Sequence, residues 1–229
     1  MEHDVKIVGD ANSAPDGAEA GSARRLARLA TIDPRVELLS LPGGELEAAL
    51  GEWLAARGEP AFRVGQIVRA IYQEHALDWD ALTTLGKPLR AALATAFRFP
   101  SLALNEVRTS ADGTQKYLWQ LLDGEAIESV LIPTPHRDTI CVSSQAGCAL
   151  ACAFCATGLF GYRRNLTAGE IVDQARQLIG RRPAAEHGVN VVFMGMGEPL
   201  LNWENLRAAL DRLISERYLN IGARRITVS

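Results

Sequence analysis

Residues 138–161, DTICVSSQAGCALACAFCATGLFG, contain all four cysteines of the 229-residue chain. Their first part predicts a strand over about 138–143, so Cys148, Cys152 and Cys155 would lie in the loop that follows a strand. Such crowding argues against a disulfide framework, whose cysteines are spread through a small secreted domain. In a reducing compartment it is typical of a metal site, an iron–sulfur site or a catalytic thiol. We therefore expect a cytoplasmic protein with a thiolate-ligated centre.

Beyond the cysteines, apolar runs alternate with helical patterns. The run 189–194 (VNVVFM) predicts a buried strand, with helices over 167–179 and 203–215 on either side and a third strand over 225–228. Strands separated by helices are βα units, which build parallel sheets or barrels. We predict an α/β fold whose last part is the first three βα units of a partial (β/α) barrel, and we expect that barrel to be incomplete at its C-terminus.

The first half of the chain has different patterns. Apolar stripes at helical spacing predict three helices, over 45–56, 61–74 and 85–97. Alternating runs separated by Asp-Gly turns then predict a β-meander of three strands, over 102–109, 114–122 and 127–132. The predicted domains are a poorly ordered leader (1–40), a helical accessory domain (41–100), a β-strand linker (101–137) and the βα core (138–229).

Charge and hydropathy exclude several classes of protein. The chain has 24 Lys and Arg against 27 Asp and Glu, a formal charge of -3. A protein that coats nucleic acid by overall charge would be far more basic, so any nucleic-acid binding needs a local patch. No apolar run reaches the roughly 18 residues of a membrane span, and the N-terminus has no basic start followed by an apolar stretch. We therefore expect neither a membrane protein nor a secretory signal.

The three cysteines Cys148, Cys152 and Cys155 form a C-x3-C-x2-C array with Phe154 just before the last of them. Three thiolates from one loop can hold a four-iron cubane and leave one iron without a protein ligand, open to a substrate or cofactor. The alternative is a structural zinc site that also uses Cys141. Zinc sites usually have two closely spaced cysteine pairs, whereas six residues separate Cys141 from Cys148. The spacing favours the cluster.

A second motif, Met-Gly-Met-Gly-Glu-Pro at 194–199, follows the buried strand directly. Glycines at the carboxyl end of a strand let a ligand approach the backbone, and parallel α/β folds bind ligands at that edge. Glu198 can accept hydrogen bonds from an amino group, which suits an amino-acid moiety. Taken alone, the motif favours a plain turn. Its position on the strand after the cysteine loop favours a ligand-binding segment instead.

These residues resemble the radical S-adenosylmethionine (SAM) enzymes, and within them the dual-specificity RNA adenine-C2 methyltransferases. The resemblance covers roughly residues 40–229. It rests on CVSSQAGCALACAFCATG, GMGEPLLN, RRITVS, EPAFRVGQIVRAIYQ, LGKPLRAAL, DGTQKYLWQL and ESVLIP. It implies methylation of an adenine in 23S ribosomal RNA and of an adenine beside the anticodon of transfer RNA.

The resemblance also implies residue roles. Cys148, Cys152 and Cys155 would hold a [4Fe–4S] cluster, and SAM would bind its open iron. Gly197 and Glu198 would contact the methionine part of SAM. The remaining matches are Ser229, at a third cofactor contact, Glu128, at the family's proposed proton acceptor, and Cys141, at its non-ligand cysteine.

The family mechanism begins with methylation of a cysteine near the C-terminus. A radical derived from a second SAM then activates that methyl group, which adds to adenine C2 and joins protein to RNA covalently. Cys141 would help to resolve the adduct by removing the C2 proton and forming a transient disulfide. No cysteine follows Cys155, so the methyl-carrying thiol is absent from these 229 residues. We expect the chain to be the N-terminal part of a longer enzyme and inactive alone.

The partners follow from the same resemblance: 23S ribosomal RNA, transfer RNA and a reductant such as flavodoxin or ferredoxin, with a monomeric enzyme. Arg163 and Arg164, just beyond the cysteines, are better placed to meet RNA than the basic residues of the helical domain, which have acidic neighbours. Two rivals stay open. One is the sister activity at adenine C8, and the other is a non-catalytic zinc- or RNA-binding module.

Overall fold

A computed structural model describes residues 33–99, 101–150, 152–182 and 188–229. Residues Arg35–Ser229 form one compact unit, and of the residues before it only 33 and 34 are described. The predicted leader therefore lies outside the described residues over 1–32. No helix in the described ranges is long and apolar enough to cross a membrane.

The helical part begins earlier than predicted. Strand β1 (Val36–Glu37) leads into a short 3-10 helix, Leu38–Ser40, whose two leucines are fully buried. The predicted boundary of the leader at residue 40 is therefore wrong for residues 35–40, because two adjacent leucines are buried there. The three predicted helices are confirmed, with bounds that differ by one to two residues: α1 (Glu45–Ala55), α2 (Phe62–Tyr72) and α3 (Lys87–Ala96). Strand β2 (Phe97–Arg98) pairs in parallel with β1.

The predicted meander and the predicted βα strands belong to one six-stranded sheet. Its strands are β3 (Leu102–Thr109), β4 (Gln115–Leu121), β5 (Ala126–Ile132), β6 (Asp138–Cys141), β9 (Val189–Phe193) and β10 (Ile226–Val228), in the spatial order β10-β9-β6-β5-β4-β3. The strands β10, β9 and β6 are parallel, and the meander continues the sheet from β6 with antiparallel pairing.

The predicted Asp-Gly turns join the meander strands. Gly113 and Gly124 have φ of +85° and +87°, a left-handed conformation that glycine adopts without strain. The segment 101–137, predicted as a linker, thus contributes half of the strands in the sheet that carries the cysteine loop.

Four further elements lie between β6 and β9. A short hairpin consists of β7 (Gln145–Gly147) and β8 (Tyr162–Asn165), with α4 (Ala156–Leu159) in the loop between them. Helix α5 (Ala168–Arg181) follows, and α6 (Trp203–Ile214) comes after β9. The hairpin was not predicted, whereas both helices are confirmed.

Helix α5 begins with a capping box, in which the Thr167 hydroxyl accepts the backbone N–H of Glu170 and the Glu170 carboxylate accepts the backbone N–H of Thr167. Every residue from Ala168 to Leu178 is buried, including charged ones. Asp173 accepts hydrogen bonds from the backbone of Ser101 and Leu102 at the start of β3, and it forms an ion pair with Arg176. Arg176 in turn donates to the carbonyl of Ala76, just after α2. The helix therefore links the meander to the helical part.

His75, just after α2, has φ of +53° and packs against α5. A Cβ added at Gly180 of that helix would lie 2.8 Å from the Cβ of His75. Burial, and then the charges of Arg176 and Arg182, lower the pKa of His75 to about 4. Below about pH 6.5, the usual pKa of histidine, the unfolded chain protonates His75 more readily than the folded chain does.

Stability should therefore fall as the pH falls from about 6.5 toward 4, with His75 contributing on the order of 1 kcal/mol after allowance for its partial exposure. His75→Asn, which tolerates the positive φ, should weaken this dependence. Urea unfolding at pH 7 and pH 5 measures it. An equal loss of stability in both proteins between these pH values would contradict the assignment.

Candidate functional site

The candidate site lies at the carboxyl ends of the three parallel strands. The β7–β8 hairpin, which carries the cysteine loop, follows β6, the Gly-Met-Gly-Glu segment follows β9, and Ser229 follows β10. Because parallel strands place their carboxyl ends at one edge of a sheet, these three segments share that edge. Ser229 itself is exposed, next to β10.

The loop that carries Cys148, Cys152 and Cys155 is closed at its base. Gly147 has φ of +74°, and a Cβ there would come within 1.8 Å of the carbonyl oxygen of Gly161. The backbone N–H of Cys148 donates to the same oxygen at 3.2 Å. Only glycine permits this approach, so the ends of the loop are held together at residues 147 and 161.

All four cysteines are free thiols, each partly buried. Hydrogen bonds from the backbone of Thr157 and Gly158, at the start of α4, lower the pKa of Cys155. A lowered pKa favours the thiolate, which is the form that binds iron or zinc. The donor set therefore fits a thiolate-bound centre. Across the four described ranges no three His, Cys, Asp or Glu side chains come together as a metal-binding group, so neither the three-cysteine nor the four-cysteine arrangement is assembled here.

The Gly-Met-Gly-Glu segment lies against the turn after β6. The carbonyl of Met196 accepts the backbone N–H groups of Ser144 and Gln145 at 2.8 and 3.1 Å. The hydroxyl of Ser143 accepts the N–H of Met196 at 2.8 Å. Glu198 accepts the backbone N–H of Leu200 through one carboxylate oxygen, which caps the following 3-10 helix. The segment thus has a fixed backbone beside the cysteine loop.

Glu128 and Cys141 lie on the same face of the sheet. Cys141 pairs with Val130 across β5 and β6, and Glu128 is two residues from Val130 on the same strand. This is the face opposite α5, since the intervening Ser129 donates its hydroxyl to Gln174 of that helix. The structure therefore brings the two predicted residues to neighbouring positions on one face.

The two side chains have different surroundings. Burial raises the pKa of Cys141, which keeps it a thiol at neutral pH, although a hydrogen bond with the backbone of Met194 opposes the shift. Glu128 forms an ion pair with Lys116 at 2.9 Å, and both are close to half-exposed. Both side chains of this ion pair line a shallow pocket, together with Glu106, Arg108 and Leu118.

Two family models match the chain. That of the radical SAM superfamily matches residues 142–229, and that of the ribosomal RNA large subunit methyltransferase N-terminal domain matches residues 38–98. The N-terminal domain match begins at residue 38, where Leu38 and Leu39 are buried, and it includes the three helices that follow them.

Curated relatives that match most of this chain carry one name. A probable dual-specificity RNA methyltransferase RlmN of Gemmatimonas aurantiaca is 48% identical over 193 residues, which are 84% of this chain and 53% of the relative. A dual-specificity RNA methyltransferase RlmN of Anaeromyxobacter sp. (strain Fw109-5) is 45% identical over 203 residues, 86% of this chain and 53% of the relative. The chain belongs to the radical SAM dual-specificity RNA methyltransferase family. It spans about half the length of the curated relatives it matches.

A solved structure agrees with this membership. The crystal structure of a radical SAM methyltransferase from Sphaerobacter thermophilus superimposes with a TM-score of 0.76 at 45% identity, covering 84% of this chain and 56% of that one. The predicted α/β fold with a partial radical SAM barrel is thereby confirmed.

The expectation that Arg164 is well placed to meet RNA does not hold. Its guanidinium is largely buried and is paired with Asp123 of the β4–β5 turn at 2.5 Å and with Glu170 of α5 at 2.8 Å. Burial alone would lower the pKa of Arg164, but the hydrogen bonds to Glu170 and Asp123 raise it. Arg163, its neighbour, is exposed. The sequence placed both arginines beyond the cysteines and gave no sign of the two carboxylate partners.

Replacement of Arg164 should therefore cost stability. Arg164→Met removes the guanidinium that pairs with Asp123 and Glu170 in a partly buried site, and we expect a loss of about 3 kcal/mol. Arg163→Met, the matched control at an exposed position, should change stability by less than about 0.5 kcal/mol. Denaturant unfolding measures both, and equal effects would mean that the triad is not stabilising.

Proposed function

We propose that the chain carries the cluster-binding and cofactor-binding part of a radical SAM methyltransferase that methylates C2 of adenine in 23S ribosomal RNA and in transfer RNA. The observation that carries the proposal is the common edge of β6, β9 and β10, to which the cysteine loop, the Gly-Met-Gly-Glu segment and Ser229 all belong. A cytoplasmic monomer that receives electrons from a protein such as flavodoxin or ferredoxin fits this function.

In this proposal Cys148, Cys152 and Cys155 hold a [4Fe–4S] cluster, which when bound supplies the electron that cleaves SAM. Gly197 and Glu198 bind the methionine part of SAM. The support is chemical: three free thiols lie in a loop closed at its base, and a carboxylate lies in the adjacent loop of fixed backbone. Ser229 adds a hydroxyl at the third strand.

In this proposal Glu128 and Cys141 take part in proton transfer on the face of the sheet opposite α5. Because burial raises the pKa of Cys141, its thiol must lose a proton before it can attack another sulfur. Glu128 lies on the same face, where the ion pair with Lys116 positions its carboxylate, and in this proposal that carboxylate accepts a proton from the adenine or from Cys141. The methyl-carrying role has no candidate among these residues, since Cys155 is the last cysteine of the chain.

Exposed apolar side chains around the cysteine loop are consistent with a nucleic-acid substrate. Phe154, Leu159 and Phe160 are 92%, 87% and 68% exposed. An unpaired base can stack on an aromatic side chain without sequence preference. The exposed Arg163 lies in the strand that follows and can meet a phosphate.

Anaerobic reconstitution with iron and sulfide tests the cluster assignment. We expect about four irons and four sulfides per chain, with broad visible absorption. Cys148→Ala should abolish this uptake, whereas Cys141→Ala, the matched control, should retain it. Uptake of one zinc and no iron would support the zinc-binding module instead, and equal losses in both variants would make Cys141 a ligand.

The reconstituted chain should bind SAM but should not methylate RNA, because it has no cysteine beyond Cys155 to carry the methyl group. Incubation with 23S ribosomal RNA and tritium-labelled SAM measures this, and label in the RNA would contradict it.

Deletion of the gene should remove 2-methyladenosine from cellular RNA. Loss of 8-methyladenosine instead would favour the sister activity at C8.

A further inference from the structure

Gln145 is the first residue of β7 and is 1% exposed, although its side chain is polar. It lies between the end of β6 and Cys148. A buried amide must have partners for its donor and acceptor groups, or the fold loses the free energy of their hydration. The partners of Gln145 therefore indicate what the residue does.

The amide of Gln145 connects two other segments to this strand. Its oxygen accepts the backbone N–H of Glu198 at 2.9 Å, and its nitrogen donates to the side-chain oxygen of Asn165 at 2.8 Å. Its own backbone N–H donates to the carbonyl of Met196 at 3.1 Å. One side chain thus joins the strand before the cysteine loop, the strand after that loop, and the Gly-Met-Gly-Glu segment.

Gly197 lies directly on this side chain. A Cβ at Gly197 would come within 2.4 Å of the Gln145 Cβ, and the φ of Gly197 is +95°. The glycine therefore allows the segment to approach Gln145 closely enough for the hydrogen bond to Glu198 to form. A side chain at residue 197 and an apolar side chain at residue 145 would each disrupt the same contact.

We propose that Gln145 is a positioning residue for the amino-acid end of SAM. It fixes the backbone of Gly197 and Glu198 against the strand that leads into Cys148, so that the group that binds the methionine amine and the first cysteine of the loop keep a set separation. This inference rests on the proposed function, and it adds a residue to which no role in that function was given.

The variants Gln145→Met and Gln145→Glu separate positioning from simple packing. Methionine has a similar length and no polar atom for Glu198 or Asn165. Glutamate, the matched control, keeps an oxygen for the N–H of Glu198. Its second oxygen can donate to Asn165 when protonated, or accept from the Asn165 amide after that amide turns.

Two measurements follow the variants, one without and one with the cluster. In the cluster-free chain, amide hydrogen exchange at Glu198 should be about tenfold faster in Gln145→Met and unchanged in Gln145→Glu. In the reconstituted chain, the Kd for SAM from equilibrium dialysis should rise about tenfold in Gln145→Met, as for the loss of one buried hydrogen bond. The iron content should stay near that of the original chain and the Tm should fall by only about 2–6 °C, as for the loss of buried hydrogen bonds. A purely structural role would not produce a tenfold loss of affinity with the iron content retained.

Each outcome decides the inference. An unchanged Kd in Gln145→Met overturns it, and so does a parallel loss of iron, Tm and affinity, which would mean that the residue only stabilises the fold. If Gln145→Met does not fold, Asn165→Ala removes the anchor of the amide instead, and an unchanged Kd in that variant overturns the inference. An original chain that takes up no cluster or binds no SAM would overturn the proposed function as well, whereas normal binding with an unaffected variant would overturn the positioning role alone.

Discussion

The whole arrangement depends on burying a helix that carries charged and amide side chains. Helix α5 has no exposed residue from Ala168 to Leu178, so Asp173, Gln174, Arg176 and Gln177 must all find partners inside the protein. Removing one member of a buried ion pair such as Asp173–Arg176 typically costs about 3–5 kcal/mol. This requirement specifies which segments lie around the helix.

The partners of α5 extend to the candidate site. Gln174 accepts the backbone N–H of Ser143 at 2.7 Å and donates to the Ser143 carbonyl at 3.0 Å, which fixes the chain just after β6. The hydroxyl of Ser143 then donates to the backbone carbonyl of Glu128 and accepts the N–H of Met196. Gln174 and Ser143 thereby hold three segments together: β5, which carries Glu128, the end of β6, and the Gly-Met-Gly-Glu segment.

The sequence predicted what depends on periodicity and turns. Every strand of the large sheet and every long helix follows from apolar spacing, and the two Asp-Gly turns separate the meander strands as expected. The site segments follow from two motifs taken together, because a glycine-rich stretch that alone fits a plain turn follows the strand next after the cysteine array. These features are local, so they can be read from neighbouring residues.

What the sequence could not predict depends on contacts between distant residues. The hairpin of β7 and β8 is three to four residues long on each strand, too short for a pattern. Arg164 has the same local signal as Arg163, yet its partner Asp123 lies 41 positions away. The sequence did not predict the role of Gln145, because that role depends on hydrogen bonds to Glu198 and Asn165, which are distant in the chain. Leu38 and Leu39 looked like part of a leader because the helix that covers them comes much later in the chain.

The central claim is that three cysteines of one loop hold an iron–sulfur cluster with one iron left for SAM. Electron paramagnetic resonance of the reduced, reconstituted chain tests it most directly, with spectra recorded before and after addition of SAM. The account predicts a spectrum of a reduced [4Fe–4S] cluster that changes when SAM is added, because the cofactor binds the open iron. A spectrum that is identical with and without SAM would contradict it.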